Sequence, residues 1–248
     1  MSLYYQDDLV TLYHGDFRDH LSAMHGDAIV TDPPYGETSL QWDRWPTDWP
    51  SLLTGSANAL WCFGSFRMFM ENLDDFGGWK FSHEIVWEKH NGSSFVADKF
   101  KRVHELATLW YQGAWGDLRH EVPRVASTVP DRGFVSASRV ETAHTGKITK
   151  GAWIDDGKRL QTTVIKVRST HFEAVHPTQK PLGIVTPLIE YSVPLGGTVI
   201  DPFAGSGTTL VAARNLGRRG VGVEAKEAFC EAAARRLSQQ AFNFGDIA

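Results

Sequence analysis

Two short stretches of this chain carry residue types that could do chemistry. In the first, TDPPYG at residues 31–36, an acid, two prolines and an aromatic ring follow the apolar run DAIV. Pro33 and Pro34 fix two φ angles and remove two amide donors, so a strand over 28–31 must stop, leaving nearby carbonyls that no ladder uses. Asp32 and Tyr35 are then presented on a stiff loop. Prolines and Asp also serve ordinary turns, so the stretch alone does not separate a working loop from a strand-ending one. The second stretch is TVIDPFAGSGTTLVAARNLGRRGVGVE. Its pattern predicts a strand ending at Asp201, a glycine loop, a helix from Thr208 to Asn215 stopped by Gly217, and a strand delivering Glu224. Gly205 and Gly207 permit close backbone approach. An acid about this far beyond the first strand of a βαβ unit reaches ribose hydroxyls, so the loop is expected to hold an adenosine-containing cofactor.

The glycine pattern narrows the choice of cofactor. A dinucleotide fingerprint would put Gly or Ala three residues after Gly207, where Leu210 stands, and a phosphate-binding P-loop would need a lysine that is missing. Acidic Asp201 before the loop suits a cofactor without a pyrophosphate, such as the sulfonium S-adenosylmethionine. The alternative, a tight strand-to-helix turn, explains the glycines but leaves Glu224 without a role.

These loops need elements to hold them. Short apolar runs at 28–31, 58–63, 83–89, 105–111, 198–201 and 220–224 alternate with helical patterns, which predicts an α/β fold with a mainly parallel sheet. HEIVWEK and ELATLWY have no helix between them and are expected to form an antiparallel hairpin that ends the sheet. Its loop carries Lys99, Lys101 and Arg102. From 114 to 170 the pattern loosens into an inserted module containing Trp115, Phe134 and Trp153, for which a miniature core is the first explanation. Catalytic and cofactor-binding parts of one core would then cover 1–113 and 171–248. In AKEAFCEAAARRLSQQ, Ala225, Ala228, Phe229, Ala232, Ala233 and Leu237 recur at helical spacing.

The 248 residues, 42% of them hydrophobic, suffice for one sizeable core plus a small module. No apolar stretch is long enough to span a membrane, and MSLYYQDD lacks the features of a signal peptide, so a cytoplasmic protein is expected. Two cysteines without a C-x-x-C pair and ten histidines without ligand spacing imply no metal. The net charge of −4 conceals segregation, because residues 89–168 hold fourteen Lys and Arg against eight Asp and Glu. A patch of that kind can neutralise phosphates, or it can be a solvated surface.

At this point four motifs in order resemble those of the DNA amino-methyltransferases, in the class whose catalytic motif precedes its cofactor motif. TDPPYG is similar to the catalytic motif and DPFAGSGTT to the cofactor motif; HPTQKP (176–181) and HGDF around Asp16 resemble two further ones. The likeness covers about residues 10–40 and 176–240, and the middle fits only loosely, as a variable target-recognition region would. The resemblance implies the seven-stranded methyltransferase fold, S-adenosylmethionine as donor, and a base flipped out of double-stranded DNA as acceptor. It implies that Asp32 and the Pro33 carbonyl accept the two amino hydrogens, with Pro34 keeping the loop rigid and Tyr35 stacking on the base. It further implies that Phe203, Ala204, Gly205, Ser206, Gly207 and Thr208 line the cofactor site with Asp201, that Glu224 binds ribose, and that Lys180 lies near the methionine carboxylate. Asp16 would border the site, or simply cap a helix. Pro187 departs from the pattern: either Thr186 starts a new helix or the helix kinks. An Asp at the first motif position favours adenine N6 over cytosine N4. An inactive DNA-binding relative and a methyltransferase acting on a small molecule, RNA or protein remain as alternatives. Methylation at cytosine C5 is disfavoured, since neither Cys62 nor Cys230 has the setting of a nucleophile. A homodimer is compatible with the resemblance.

Overall fold

The computed structural model describes residues 2–93, 98, 100–126, 133–144, 146–169 and 179–239. The chain forms two compact units, one of residues up to 121 and from 163 onward, the other Val122–Thr162. The expected insert, 114–170, is wider at both ends. Trp115 belongs to the larger unit, where its ring meets Tyr111 and His83 edge-on, and residues 164–166 form a strand of its sheet.

Nine strands build that sheet: β1 (Ser2–Gln6), β2 (Val10–His14), β3 (Ala28–Thr31), β4 (Ala59–Gly64), β5 (Lys80–Ser93), β6 (Arg102–Tyr111), β7 (Val164–Lys166), β8 (Thr198–Asp201) and β9 (Arg219–Glu224). Their spatial order is β1-β2-β9-β8-β3-β4-β6-β5-β7. The stretch from β2 to β5 is the expected seven-stranded sheet, parallel from β2 through β4 and closed by the antiparallel β4/β6/β5 run. Both edges carry an addition. The β5/β6 hairpin does not end the sheet, because β7 pairs parallel with β5, aligning Ile165 with Trp87. Only Ile165 of β7 is buried, so the segment shows no run of apolar residues in the sequence. Strand β1 pairs antiparallel with β2 around a turn in which the Asp7 carboxylate accepts the amides of Leu9 and Val10.

The central strands are buried on both faces and therefore read as continuous apolar runs, with β3 and β4 fully buried. Two short helices, α1 (Trp49–Leu52) and α2 (Phe66–Glu71), precede α3 (Leu182–Ser192), against whose Ile184, Val185, Leu188 and Ile189 one face of the sheet packs Val30, Trp61, Phe63 and Leu109. The other packs Ile29, Leu60, Cys62 and Trp110 against Trp49 and Phe76. Helix α3 is a single element containing Pro187, so Thr186 starts no new helix. A further helix, α4, spans Thr208–Asn215 as expected, and Gly217, at φ 64°, follows its end. Helix α5 runs Glu227–Ser238; of the expected face Ala233 and Leu237 are buried, Phe229 and Ala232 half-buried and Ala225 exposed, while Cys230 is buried in addition. Ala228 is exposed.

The chain passes from β3 to β4 on one side and from β8 to β9 on the other, while β3 and β8 lie side by side. Their carboxyl ends therefore open a crevice at a topological switch point, where open α/β sheets bind ligands.

In the smaller unit three antiparallel pairings nest: 124–126 with 158–160, 134–135 with 153–154, and 138–142 with 146–150. Asp155 is buried and paired with Arg159 at 2.6 and 2.7 Å. Phe134 is 71% exposed, so it does not form the miniature core expected of it. The side chain of Trp153 lies outside the described residues.

Candidate active site

The crevice holds a cavity of about 720 Å³, within the range of small-molecule sites. Both expected loops line it. On the β3 side, Pro33 is buried, and among the described residues its carbonyl accepts no hydrogen bond. The loop beyond Tyr35 is fixed by Asp43, a nearly buried acid whose two oxygens accept the amides of Gly36 (2.9 Å) and Thr38 (2.7 Å). Burial opposes ionisation of Asp43, but these bonds outweigh it and hold its pKa below the usual carboxylate value. A proline pair and an acid-braced loop together give Asp32 a rigid mount.

Asp32, its side chain about 23% exposed, sits in an ion cluster. Its Oδ1 accepts the Tyr35 hydroxyl at 2.5 Å, and its Oδ2 lies 2.6 Å from Lys180 Nζ. Glu105 on β6 completes the arrangement. Its Oε1 lies 2.8 Å from the Tyr35 oxygen and 2.9 Å from Lys180 Nζ, while its other oxygen pairs with Lys89 on β5. Burial raises the pKa of Asp32, and Lys180 opposes that rise. Glu105 moves the other way, because Lys180 and Lys89 together outweigh its burial. The two acids of one pocket are thus pushed apart, which leaves Glu105 the more firmly ionised. Lys180, expected beside the cofactor's methionine carboxylate, lies against the Asp-Pro-Pro-Tyr acid. Of the HPTQKP motif, residues 176–178 lie outside the described residues.

On the β8 side the groups are held by the backbone. Asp201, only 3% exposed, accepts the Thr31 hydroxyl at 2.7 Å and the Phe203 amide at 3.1 Å, so it ties the two loops together. Burial pushes its pKa up to about 6. Glu224 accepts the Gly205 amide with one oxygen and the Lys226 amide with the other, each at 2.8 Å. Burial raises its pKa against these bonds. Gly207 has φ 76°, and a Cβ there would lie 2.9 Å from the Ala233 Cβ, so the close approach needs glycine. Phe203 packs edge-on against Phe17 and Trp49. Ala204, Ser206 and Thr208 line the same cavity. Asp16 does both things considered for it: it caps the 3-10 turn Phe17–Ala23 by accepting the Arg18 amide at 2.9 Å, and it borders the cavity.

A sulfonium nucleoside fits this donor set. Glu224 is oriented by two amides and keeps lone pairs for ribose hydroxyls, while Phe203, Trp42 and Phe229 supply apolar walls.

Glu105, Lys89, Asp43 and Arg236 were not singled out in the sequence. Arg236 on α5 donates to the Ser206 carbonyl at 2.6 Å and to the hydroxyls of Ser206 and Thr208, clamping the glycine loop from behind. For Glu105 a signal existed: it is an acid in period-two register with Ala107 and Leu109, just ahead of the buried run 107–110.

The sheet order and its paired loops place the chain in the methyltransferase fold. It belongs to the N6/N4 DNA methylase family, whose model, described as DNA methylase (N6_N4_Mtase), matches residues 26–235. It is therefore a DNA methyltransferase, and members of this family take the methyl group from S-adenosylmethionine. It is similar to Type II methyltransferase M.ScaI of Streptomyces caespitosus, 26% identical over 96% of this chain and 84% of that one. Type II methyltransferase M2.DpnII of Streptococcus pneumoniae is 25% identical over 96% and 92%. Among solved structures, the M1.HpyAVI–SAM complex superposes with TM-score 0.64 at 21% identity, covering 93% of this chain and all of that one. PvuII DNA methyltransferase, cytosine-N4-specific, superposes with TM-score 0.66 at 12% identity, covering 96% and 89%. At these identities the two likenesses show the fold. No described helix is long and apolar enough to cross a membrane.

Proposed function

We propose that this enzyme methylates the N6 amino group of adenine in duplex DNA, with the base turned out of the stack into the crevice beyond β3. The observation that carries the proposal is the Asp32 carboxylate on a proline-stiffened loop lining the cofactor cavity, beside a Pro33 carbonyl that accepts no hydrogen bond among the described residues. An exocyclic amino group is a poor nucleophile because its lone pair is delocalised into the ring. Two fixed acceptors for its hydrogens, Asp32 and the Pro33 carbonyl, draw the nitrogen toward sp³ and free that pair. Pro34 keeps those acceptors from moving, so little reorganisation accompanies the reaction. The ring of Tyr35 supplies a stacking face that partly offsets the few kcal/mol of unstacking. S-adenosylmethionine, when bound, supplies a methyl group activated by its sulfonium. Glu224 would hold its ribose, and the segment Phe203–Thr208 with Asp201 and Asp16 would form the rest of its cradle.

The smaller unit, with exposed Lys147 and Lys158, would contact target DNA. A DNA target is compatible with the cytoplasmic location expected from the sequence. Adenine is preferred because Asp32 occupies the first motif position, which is usually Ser in the cytosine N4 enzymes this family resembles. Incubation with methyl-labelled cofactor and unmethylated bacterial DNA, followed by digestion to nucleosides, tests the proposal. Label in N6-methyl-2′-deoxyadenosine is the expected outcome, and label in N4-methyl-2′-deoxycytidine would retain the mechanism while replacing the base.

A further inference from the structure

One part of the site has no task in the proposed mechanism. Lys180 is 8% exposed, and its ammonium lies 2.6 Å from Asp32, 2.9 Å from Glu105 and 3.4 Å from the Tyr35 hydroxyl oxygen. An ammonium so buried is stable only among carboxylates. An amino group arriving at Asp32 competes with Lys180 for the lone pairs of Oδ2. Glu105 resolves the conflict, because it is a second acid already bonded to Lys180 and its position does not depend on Asp32. Its other oxygen is held by Lys89, and it also lies against the Tyr35 hydroxyl at 2.8 Å. When a base takes Asp32, Lys180 stays on Glu105 and has one N–H free, directly beside the place the amino group occupies.

Adenine and cytosine each carry, next to the amino group, a ring nitrogen with an in-plane lone pair: N1 in one, N3 in the other. Guanine and thymine present a carbonyl oxygen beside an N–H on the corresponding edge. A carboxylate and an ammonium side by side offer an acceptor and then a donor, which complements the first pattern and repels the second. We infer that Lys180 reads the flipped base by donating to the ring nitrogen beside the amino group, and that Glu105 is the positioning residue that holds Lys180 and the Tyr35 hydroxyl in place for it. The inference rests on base methylation as proposed above and goes further by naming what selects amino-bearing bases. It also moves Lys180 from the cofactor to the base.

The test begins by sequencing methylated positions in DNA treated with the enzyme, which gives the target site and base. Duplexes are then made with the natural base or with its deaza analogue, 1-deazaadenine or 3-deazacytosine, in which C–H replaces the ring nitrogen. Wild type is expected to methylate the analogue on the order of 10- to 100-fold more slowly, the worth of one hydrogen bond from a charged donor. Lys180→Gln should be slow on both and lose most of that ratio, and Glu105→Gln should narrow it. Calorimetric titration with S-adenosylmethionine should leave the affinity of both variants near that of wild type, which also shows that they fold. Equal wild-type rates on base and analogue would overturn the inference. So would an unchanged ratio in Lys180→Gln together with lost cofactor affinity, which would return Lys180 to the methionine carboxylate. Absence of any methylated base would instead fail the proposed function.

Discussion

The loops that follow β3 and β8 leave neighbouring parallel strands into one crevice, yet they are fixed by opposite means. The β8 loop is held by partners close in sequence: Glu224 lies 19 residues from the Gly205 amide it accepts, and Arg236 lies 30 from Ser206. The β3 loop is braced locally by Asp43, but its charge cluster depends on distant partners, with 70 residues between Tyr35 and Glu105 and 145 between Tyr35 and Lys180. In the proposed mechanism, backbone amides and glycines shape the first for a nucleoside, and buried charges set the second for a base whose amino hydrogens are met by fixed acceptors. The difference would then follow from the tasks, since binding needs shape while activating an amino nitrogen needs electrostatics that do not reorganise.

Substitutions on each side should therefore separate chemistry from binding. The largest effect is expected from Asp32→Ala, which removes a fixed acceptor and should lower methyl transfer on the order of 10² to 10³-fold. Cofactor affinity, measured by calorimetry, should stay near wild type. A comparable loss of affinity would show that the two loops do not divide the work. On the β8 side, Glu224→Ala should weaken cofactor binding by roughly 1–3 kcal/mol, because a buried charged acceptor is lost and the Gly205 amide loses its partner. Unchanged affinity there would mean that the ribose lies elsewhere.

A pH profile sharpens the comparison, because the base side alone depends on a charge cluster. Asp32 must be ionised to accept amino hydrogens, and burial raises its pKa, so activity should fall on acidification at a higher pH than an ordinary Asp would dictate. Lys180 is the main influence lowering that pKa. Lys180→Gln should move the acidic limb to still higher pH, whatever it does to the maximal rate. Cofactor binding to the wild-type enzyme, followed over the same range, should not share the Asp32 limb. A limb that stays in place in the variant would show that Lys180 does not set the charge of Asp32.

How much of this was legible in the sequence follows the same division. Strand β8, helix α4 and the Asp201-to-Glu224 unit could be read because their partners lie within one βαβ unit and glycine spacing records the close approach, and β3 could be read from its continuous apolar run. Six strands of the seven-stranded sheet were legible as short apolar runs; β2, buried only at Val10 and Leu12, was not among them, and the count of seven came from the family resemblance. Strand β7 was not, since a single buried Ile165 in a polar stretch leaves no periodicity. The Asp-Pro-Pro-Tyr loop announced itself, but its neighbours did not. Glu105 and Lys89 look like ordinary charged residues of a hairpin until β6 is set beside β4 and the residues after 179 are folded over them. Arg159 shows the converse. It counts toward the basic excess of the positive stretch, yet it neutralises buried Asp155.

That pairing changes how the smaller unit should be tested, and the expected effect is the smallest of the set. Neutralising Arg159 would leave Asp155 buried and uncompensated, so weaker DNA binding in that variant would report damage to the unit rather than a lost contact. Lys147 and Lys158 are exposed and serve better. Replacing both with Gln removes two positive charges far from either loop in sequence, while Arg159–Asp155 stays intact. If each lysine meets one phosphate, the double variant should bind DNA more weakly at low salt, and the slope of log affinity against log salt should flatten by about 2. Cofactor affinity and the pH limb of Asp32 should not move. An unchanged slope, with the variant folded by its circular dichroism, would make these lysines a solvated surface and leave DNA capture to other residues.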